Sequence, residues 1–142
     1  MSREISVRSS LSVRNGSLQY QSNPTAFAAD QSVVGGPTPG QIVAATAGTN
    51  VDLSALASPG LCRVMNLDAV NSCDVGVYDA SADKFYPLVE VRPSESFVFR
   101  LSTRLNDEYP GGTGTGSDAP ADAVQVRGKG GAVKILFEAF ED

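Results

Sequence analysis

The chain has no histidine and no tryptophan among its 142 residues, only two cysteines, and charged side chains at just 19% of positions. Without histidine it lacks the commonest general base, the commonest zinc ligand and every Ser–His or Cys–His catalytic pair. Ordinary catalysis is therefore not expected. Cys62 and Cys73 are too few for a disulfide framework, and they read as two small, half-buried side chains in a reducing compartment. No run approaches the roughly 20 apolar residues that a membrane helix needs. The start, Met1 to Arg8, alternates charge and apolarity and lacks the continuous apolar stretch of a signal peptide. No targeting segment and no membrane partner are expected.

Basic residues are also short, with 11 Lys and Arg against 16 Asp and Glu for a net charge of −5. Coating nucleic acid needs a basic face to neutralise phosphates, so no nucleic-acid partner is expected. The charge is uneven. Residues 1–71 carry four bases and four acids, whereas residues 72–142 carry seven bases and twelve acids, so the whole excess lies in the second half. Between Asn15 and Cys62 there is no Lys or Arg, and only Asp30 and Asp52 are charged. A solvated surface normally holds more charge than that. The stretch is either a neutral polar linker or a segment lying against something else, and the division points to one part for contact and one for solvent.

What is present is a strand pattern. Apolar residues make up 42% of the chain, and its length suits one domain with a real core. Fourteen glycines and eight prolines predict many turns. Ile5, Val7, Leu11 and Val13 occupy odd positions and Ser6, Arg8, Ser10, Ser12 and Arg14 the other face, which predicts a strand with one wet side. Asn15-Gly16-Ser17 is a turn signal, and Leu18 to Gln21 resumes alternation, so a hairpin is expected. Residues 23–40, with three prolines and three glycines, read as an irregular connection or an extended arm. Further strands are expected over 41–46, 51–56, 61–67, 73–78, 85–91, 97–101, 123–127 and 132–140. The last two form an expected hairpin through the glycines at 128–131. The final strand is apolar on both faces and should be central or covered on both sides. A second Gly/Pro-rich segment, 103–122, reads as a long surface loop.

Eight to ten short strands with turns every 8–12 residues predict an all-β fold, an antiparallel β-sandwich with the jelly roll as one form of it, in one domain spanning 1–142. The motifs add little chemistry. The glycines of 111–116 are followed by Ser117-Asp118, not by the Lys and Ser/Thr of a phosphate loop. Asp74, Asp79 and Asp83 do not match a calcium-loop spacing and suit strand ends. Glu90, Glu95, Glu138 and Glu141 read as solvated faces rather than a glycosidase pair. No nucleophile elbow occurs. No catalytic, cofactor or metal residue is assigned.

The strand edges are more informative. Sheets blunt their edges with Lys or Pro, and no Lys precedes Lys84. Either an early edge pairs with another subunit, the 23–40 segment reaches to a neighbour, or that segment covers its own sandwich. The candidate assembly contacts are accordingly Ile5, Val7, Leu11, Val13, Phe27, Val33 and Val34.

The chain resembles the small all-β virion proteins encoded among the structural genes of tailed bacteriophages. The matching features begin with the alternating strand Glu4–Gly16 that ends in Asn-Gly, and with Asn66-Leu67-Asp68 turning through Asn71 into Val75-Gly76-Val77. They continue with the Phe85-Tyr86 strand, Arg92-Pro93-Ser94-Glu95 leading into Phe97 to Leu101, and a closing strand ending Phe137-Glu138. The long Gly-rich 103–122 segment departs from that type. The resemblance implies a non-enzymatic structural part of a virus particle, best a capsid decoration (cement) protein that bridges shell subunits. It would be homo-oligomeric and partnered by the major capsid protein or other virion proteins. A tail or head–tail connector component is the alternative within the particle. A carbohydrate-binding or host-adhesion module is the alternative outside that class. Against it, the chain has no Trp and four Tyr (Tyr20, Tyr78, Tyr86, Tyr109) for sugar stacking.

Overall fold

The computed structural model describes residues 4–31, 34–79, 82–102 and 124–141, so Val33 and the expected 103–122 loop lie outside the described residues. Every regular element among the described residues is a β-strand, and every pairing is antiparallel. The chain divides into two compact units, 1–33 and 34–142. The expected arm 23–40 is cut by this boundary and is not irregular throughout. Its first part contains a strand of unit 1, and its last residues open the first strand of unit 2.

Unit 1 holds β1 (Ile5–Ser9), β2 (Ser12–Asn15), β3 (Leu18–Gln21) and β4 (Thr25–Ala29), with β1 paired to β4 and β2 to β3. Unit 2 is an antiparallel β-sandwich of eight strands: β5 (Thr38–Ala44), β6 (Thr49–Asn50), β7 (Pro59–Asn66), β8 (Ser72–Asp79), β9 (Lys84–Val91), β10 (Ser96–Arg100), β11 (Val124–Lys129) and β12 (Val133–Glu141). One sheet runs in the order β10-β7-β12-β5 and the other β6-β11-β8-β9. The pairs are nested: β8 with β9, β7 with β10, β6 with β11, and β5 with β12.

The core forms where the two sheets' inner faces meet. Val64, Ile135 and Phe137 from one sheet are buried in one cluster with Cys73, Val75, Val91 and Val126 from the other. Strand β12 lies between β7 and β5, as its two apolar faces predict, and Val133, Ile135, Phe137 and Ala139 are fully buried along it. Its other side, half-buried at Leu136 and Phe140, carries the cross-strand pair Arg63–Glu138 at 2.7 Å.

Three expectations are corrected. The closing hairpin does not form: β11 pairs with β8 and β6, whereas β12 pairs with β5 and β7. The glycines after β11 carry the chain from one sheet to the other, and a Cβ at Gly128 would meet the carbonyl oxygens of Gly131 and Ala44. Residues 51–56 are not a strand. Val51, Leu53 and Leu56 are buried, but Asp52 Oδ1 accepts from Ser54 N and Ser54 Oγ, and Leu56 N donates to Leu53 O. The side-chain turn takes the backbone away from a ladder while the apolar residues still plug the core. The cysteines are free and fully buried rather than half-buried.

Candidate functional site

Unit 1 is one long hairpin. Asn15 pairs with Leu18, leaving Gly16-Ser17 as a two-residue turn, and Gly16 takes the positive φ of 56° that a turn of this kind puts at its first central position. Asn15 stays in the strand. At the other end Gln31 N donates to Glu4 Oε2 at 3.1 Å. Between the two ladders, Ser22 N donates to Leu11 O at 2.8 Å and Leu11 N to Ser22 Oγ at 2.7 Å. Ser9 pairs with Thr25, so Ser10 alone stands opposite Asn23 and Pro24. A bulge is where a strand tolerates proline, which has no N–H for the ladder.

That bulge decides which residues share a face. Leu18 and Tyr20 are at even positions and Phe27 at an odd one, yet the register sets Tyr20 opposite Val13 and Phe27 opposite Val7. Ile5, Val7, Leu11 and Val13 therefore lie on one face with Leu18, Tyr20 and Phe27. Ser6, Arg8, Ser12, Arg14, Gln19 and Gln21 form the other. Of the sequence-derived contacts, the structure brings together Ile5, Val7, Leu11, Val13 and Phe27. Val34 lies in unit 2 and is 97% exposed. Leu18 and Tyr20 belong to the same face and are not among the contacts expected from sequence. The alternation after Gly16 was their only signal.

No residue described in unit 1 is buried, and Leu11, Leu18, Tyr20 and Phe27 are each more than half exposed. A two-stranded hairpin is marginal in water by itself, and on this face two apolar clusters, around Val7–Phe27 and Val13–Tyr20, flank the polar pair Ser9–Thr25.

Unit 2 has a second apolar surface. A groove of about 330 Å³ opens between β10 and the β8–β9 pair, lined by Val75, Val77, Leu88, Val89, Phe97 and Phe99. Phe97 stacks on Phe99 at 5.5 Å, and Phe99 meets Phe137 edge-on at 6.0 Å. Phe97 and Phe99 pair with Val64 and Cys62, so they share the inner face, yet Phe97 is 41% exposed because β10 ends its sheet. Leu88 is 72% exposed. Strand β10, Ser96-Phe-Val-Phe-Arg100, has neither Lys nor Pro, whereas β5, at the opposite edge of the sheet, carries Pro39.

The polar groups are spent on structure. Asn66, fully buried, donates to Asn71 O and Val91 O, both at 2.9 Å, and accepts from Asp68 N at 2.8 Å. Glu141 is buried, not solvated as its type predicts, because its carboxylate accepts from Ala57 N at 3.1 Å and Ser58 N at 2.7 Å. Glu90 faces Lys129 and Arg92 at 3.7 and 3.8 Å, and Glu95 accepts from Arg92 N. Of the Asp trio, Asp79 accepts from Ala82 N and Asp83 from the Tyr78 hydroxyl. Among the described residues no group of three or more His, Cys, Asp or Glu side chains is placed to hold a metal ion. Burial pushes the Cys62 thiol up to about 12, and burial with the nearby Asp74 carboxylate pushes Cys73 up to about 11. Such thiols are poor nucleophiles. Arg127 lies over the Phe85 and Tyr78 rings at 4.5 and 5.9 Å, and Lys84 over Tyr86 at 5.2 Å, so two of the four tyrosines already stack with cations. The arrangement offers apolar surfaces for association. No protein-family model, no curated protein and no solved structure matches the chain.

Proposed function

We propose that this protein is a non-enzymatic structural component of a bacteriophage particle, a capsid decoration protein that holds shell subunits together through its N-terminal hairpin. The observation that carries the reading is the hairpin itself: a unit with no buried residue among those described and with its large apolar side chains gathered on one face, attached to a sandwich that has its own core. Such a face is stable when another protein covers it, at roughly 25 cal/mol for each Å² removed from water. The bacteriophage assignment comes from the sequence resemblance.

The sandwich supports the same reading more weakly. We take the form of this fold to be a jelly roll, eight strands in two Greek keys, and the nested pairing of its strands supports that reading. Viral capsid domains use that scaffold, and so do lectins and cupins, so the fold by itself assigns no role. The partner is the major capsid protein or another virion protein, and the protein itself is homo-oligomeric.

The deciding experiment is the copy number and position of the protein in purified particles. Many copies spread over the shell is the expected result. Labelling confined to the tail or to one vertex would transfer the reading to a tail or connector component, and absence from particles would overturn it.

A further inference from the structure

We propose that Asn15-Gly16 is a self-modifying site: the Gly16 amide nitrogen displaces the Asn15 side-chain amide, and the isoaspartyl product no longer holds the turn of the hairpin. This is the one Asn-Gly pair in the sequence. Ring closure needs an uncrowded residue after the asparagine, a backbone N–H that no acceptor holds, and a side-chain amide free to rotate. All three meet at this turn. Asn15 and Gly16 are exposed, and the Asn15 side chain has no hydrogen-bond partner among the described residues. The Asn15–Leu18 pair closes the ladder, so Gly16 N lies outside it and donates to no acceptor among the described residues. Glycine has no side chain to crowd the approach, and even a Cβ placed there would meet no atom within 4 Å.

Asn50 and Asn66 show the opposite arrangement. Val51 N donates to Val124 O at 3.0 Å and Leu67 N to Lys134 O at 2.9 Å, so the nitrogen that would attack is held in each case. The Asn50 side chain accepts from Gln125 Nε2, and that of Asn66 is buried and donates to two carbonyls. Asn23 precedes Pro24, which has no N–H to lose.

The reaction consumes only water. Gly16 N, its proton taken by hydroxide, bonds to Asn15 Cγ. The Cγ–Nδ2 bond breaks, and the side-chain nitrogen leaves as ammonia with a proton from water. A second water opens the resulting succinimide on either side. Breaking the new Cγ–N bond gives an aspartate in the ordinary linkage. Breaking the original peptide C–N bond gives an isoaspartate, whose main chain runs through Cγ and is one carbon longer. Attack requires Asn15 to leave the extended geometry of β2, and that opening is easy in a hairpin with no buried residue among those described.

Gly16-Ser17 is a two-residue turn whose length sets the register of β2 on β3. An extra main-chain carbon at residue 15 breaks that match, and Val13 loses its place opposite Tyr20. The consequence for assembly rests on the function proposed above: copies that wait unassembled lose part of the face they attach by.

The test holds the full chain in mildly alkaline buffer and follows it by peptide mass spectrometry, with isoaspartate counted by its selective enzymatic methylation. Asn15 is expected to lose its amide while Asn50 and Asn66 keep theirs, faster as pH rises, with isoaspartate among the products. Asn15→Gln is expected to stay unconverted over the same period, because its ring would need a sixth member. By NMR, the Val13–Tyr20 contact is expected in the fresh chain and in Asn15→Asp, which carries the charge in the ordinary linkage, and is expected to be lost from the isoaspartyl fraction.

An Asn15 that lasts as long as Asn50, conversion to aspartate without isoaspartate, a fresh chain lacking the Val13–Tyr20 contact, or an isoaspartyl chain that keeps it would each overturn the proposal. Particle binding is read separately. A fresh chain that fails to attach sinks the virion reading and leaves the conversion standing, whereas a converted chain that attaches as well as the fresh one sinks the consequence for assembly.

Discussion

Asn66 is the polar residue on which the sandwich depends most. Its side chain is fully buried and satisfies two carbonyls and one amide, tying the end of β7 to the turn before β8 and to β9. Asn66→Ala leaves those buried groups without partners, and a loss of about 2–4 kcal/mol in urea unfolding is expected. The buried thiols make stability depend on pH in the alkaline range. Unfolded, they ionise around their ordinary 9.0, whereas the native thiols hold their protons to about 12 and about 11. The native state then binds more protons than the unfolded one, so stability falls as pH rises from about 9 towards 11. Urea midpoints measured from pH 7 to 11 are expected to drop across that window, and a Cys62→Ala/Cys73→Ala variant is expected to flatten it.

At the level of elements, the glycine in β8 decides whether the β8–β9 pair can close. The register shifts between Val75 and Gly76, opposite Pro87, and a Cβ at Gly76 would run into the Tyr86 carbonyl oxygen. That oxygen belongs to the backbone and cannot swing aside. Gly76→Ala is expected to cost about 1–3 kcal/mol by forcing the two strands apart, read as a lower thermal midpoint with an unchanged oligomeric mass. The hairpin depends on a different device, the bulge at Asn23-Pro24, which returns Phe27 to the face of Val7 after a two-residue turn has placed Tyr20 opposite Val13. A one-residue slip there would send Phe27 to the arginine face.

Across the whole molecule, the boundary at residues 33 and 34 predicts what can be removed. The sandwich keeps its core without the hairpin, because every buried apolar residue described lies beyond residue 43. Deleting 1–33 is expected to leave a folded, soluble sandwich with a cooperative unfolding transition, which circular dichroism would follow, and to abolish attachment to particles. Deleting 1–40 is expected to do more harm. Thr38, Pro39 and Gly40 belong to β5 and pair with β12, and Gly35 is bonded to Glu141. The sparsely charged stretch from Asn15 to Cys62 also divides here. Its first part lies in an exposed hairpin, but Ala44, Val51, Leu53, Leu56, Leu61 and Cys62 are buried inside the sandwich. Part of the stretch is neutral because it supplies the core, so low charge alone does not mark a contact surface.

The sequence by itself determined the all-β class, most strand positions, the central place of β12 and the apolar odd-numbered face of Ile5, Val7, Leu11 and Val13. These follow from period-two alternation and turn residues, which act over a few neighbours. Only the tertiary structure decided which strands pair. The expected hairpin between β11 and β12 failed because a glycine turn serves equally well to cross between sheets, and partner choice depends on contacts far along the chain. Alternation also marked residues 51–56 as a strand, since burial follows apolar spacing while a ladder needs free backbone groups that Asp52 and Ser54 divert. The groove beside β10 was illegible for the same reason. Phe97 and Leu88 become neighbours only when two sheets meet, and which strand ends a sheet is a property of the fold.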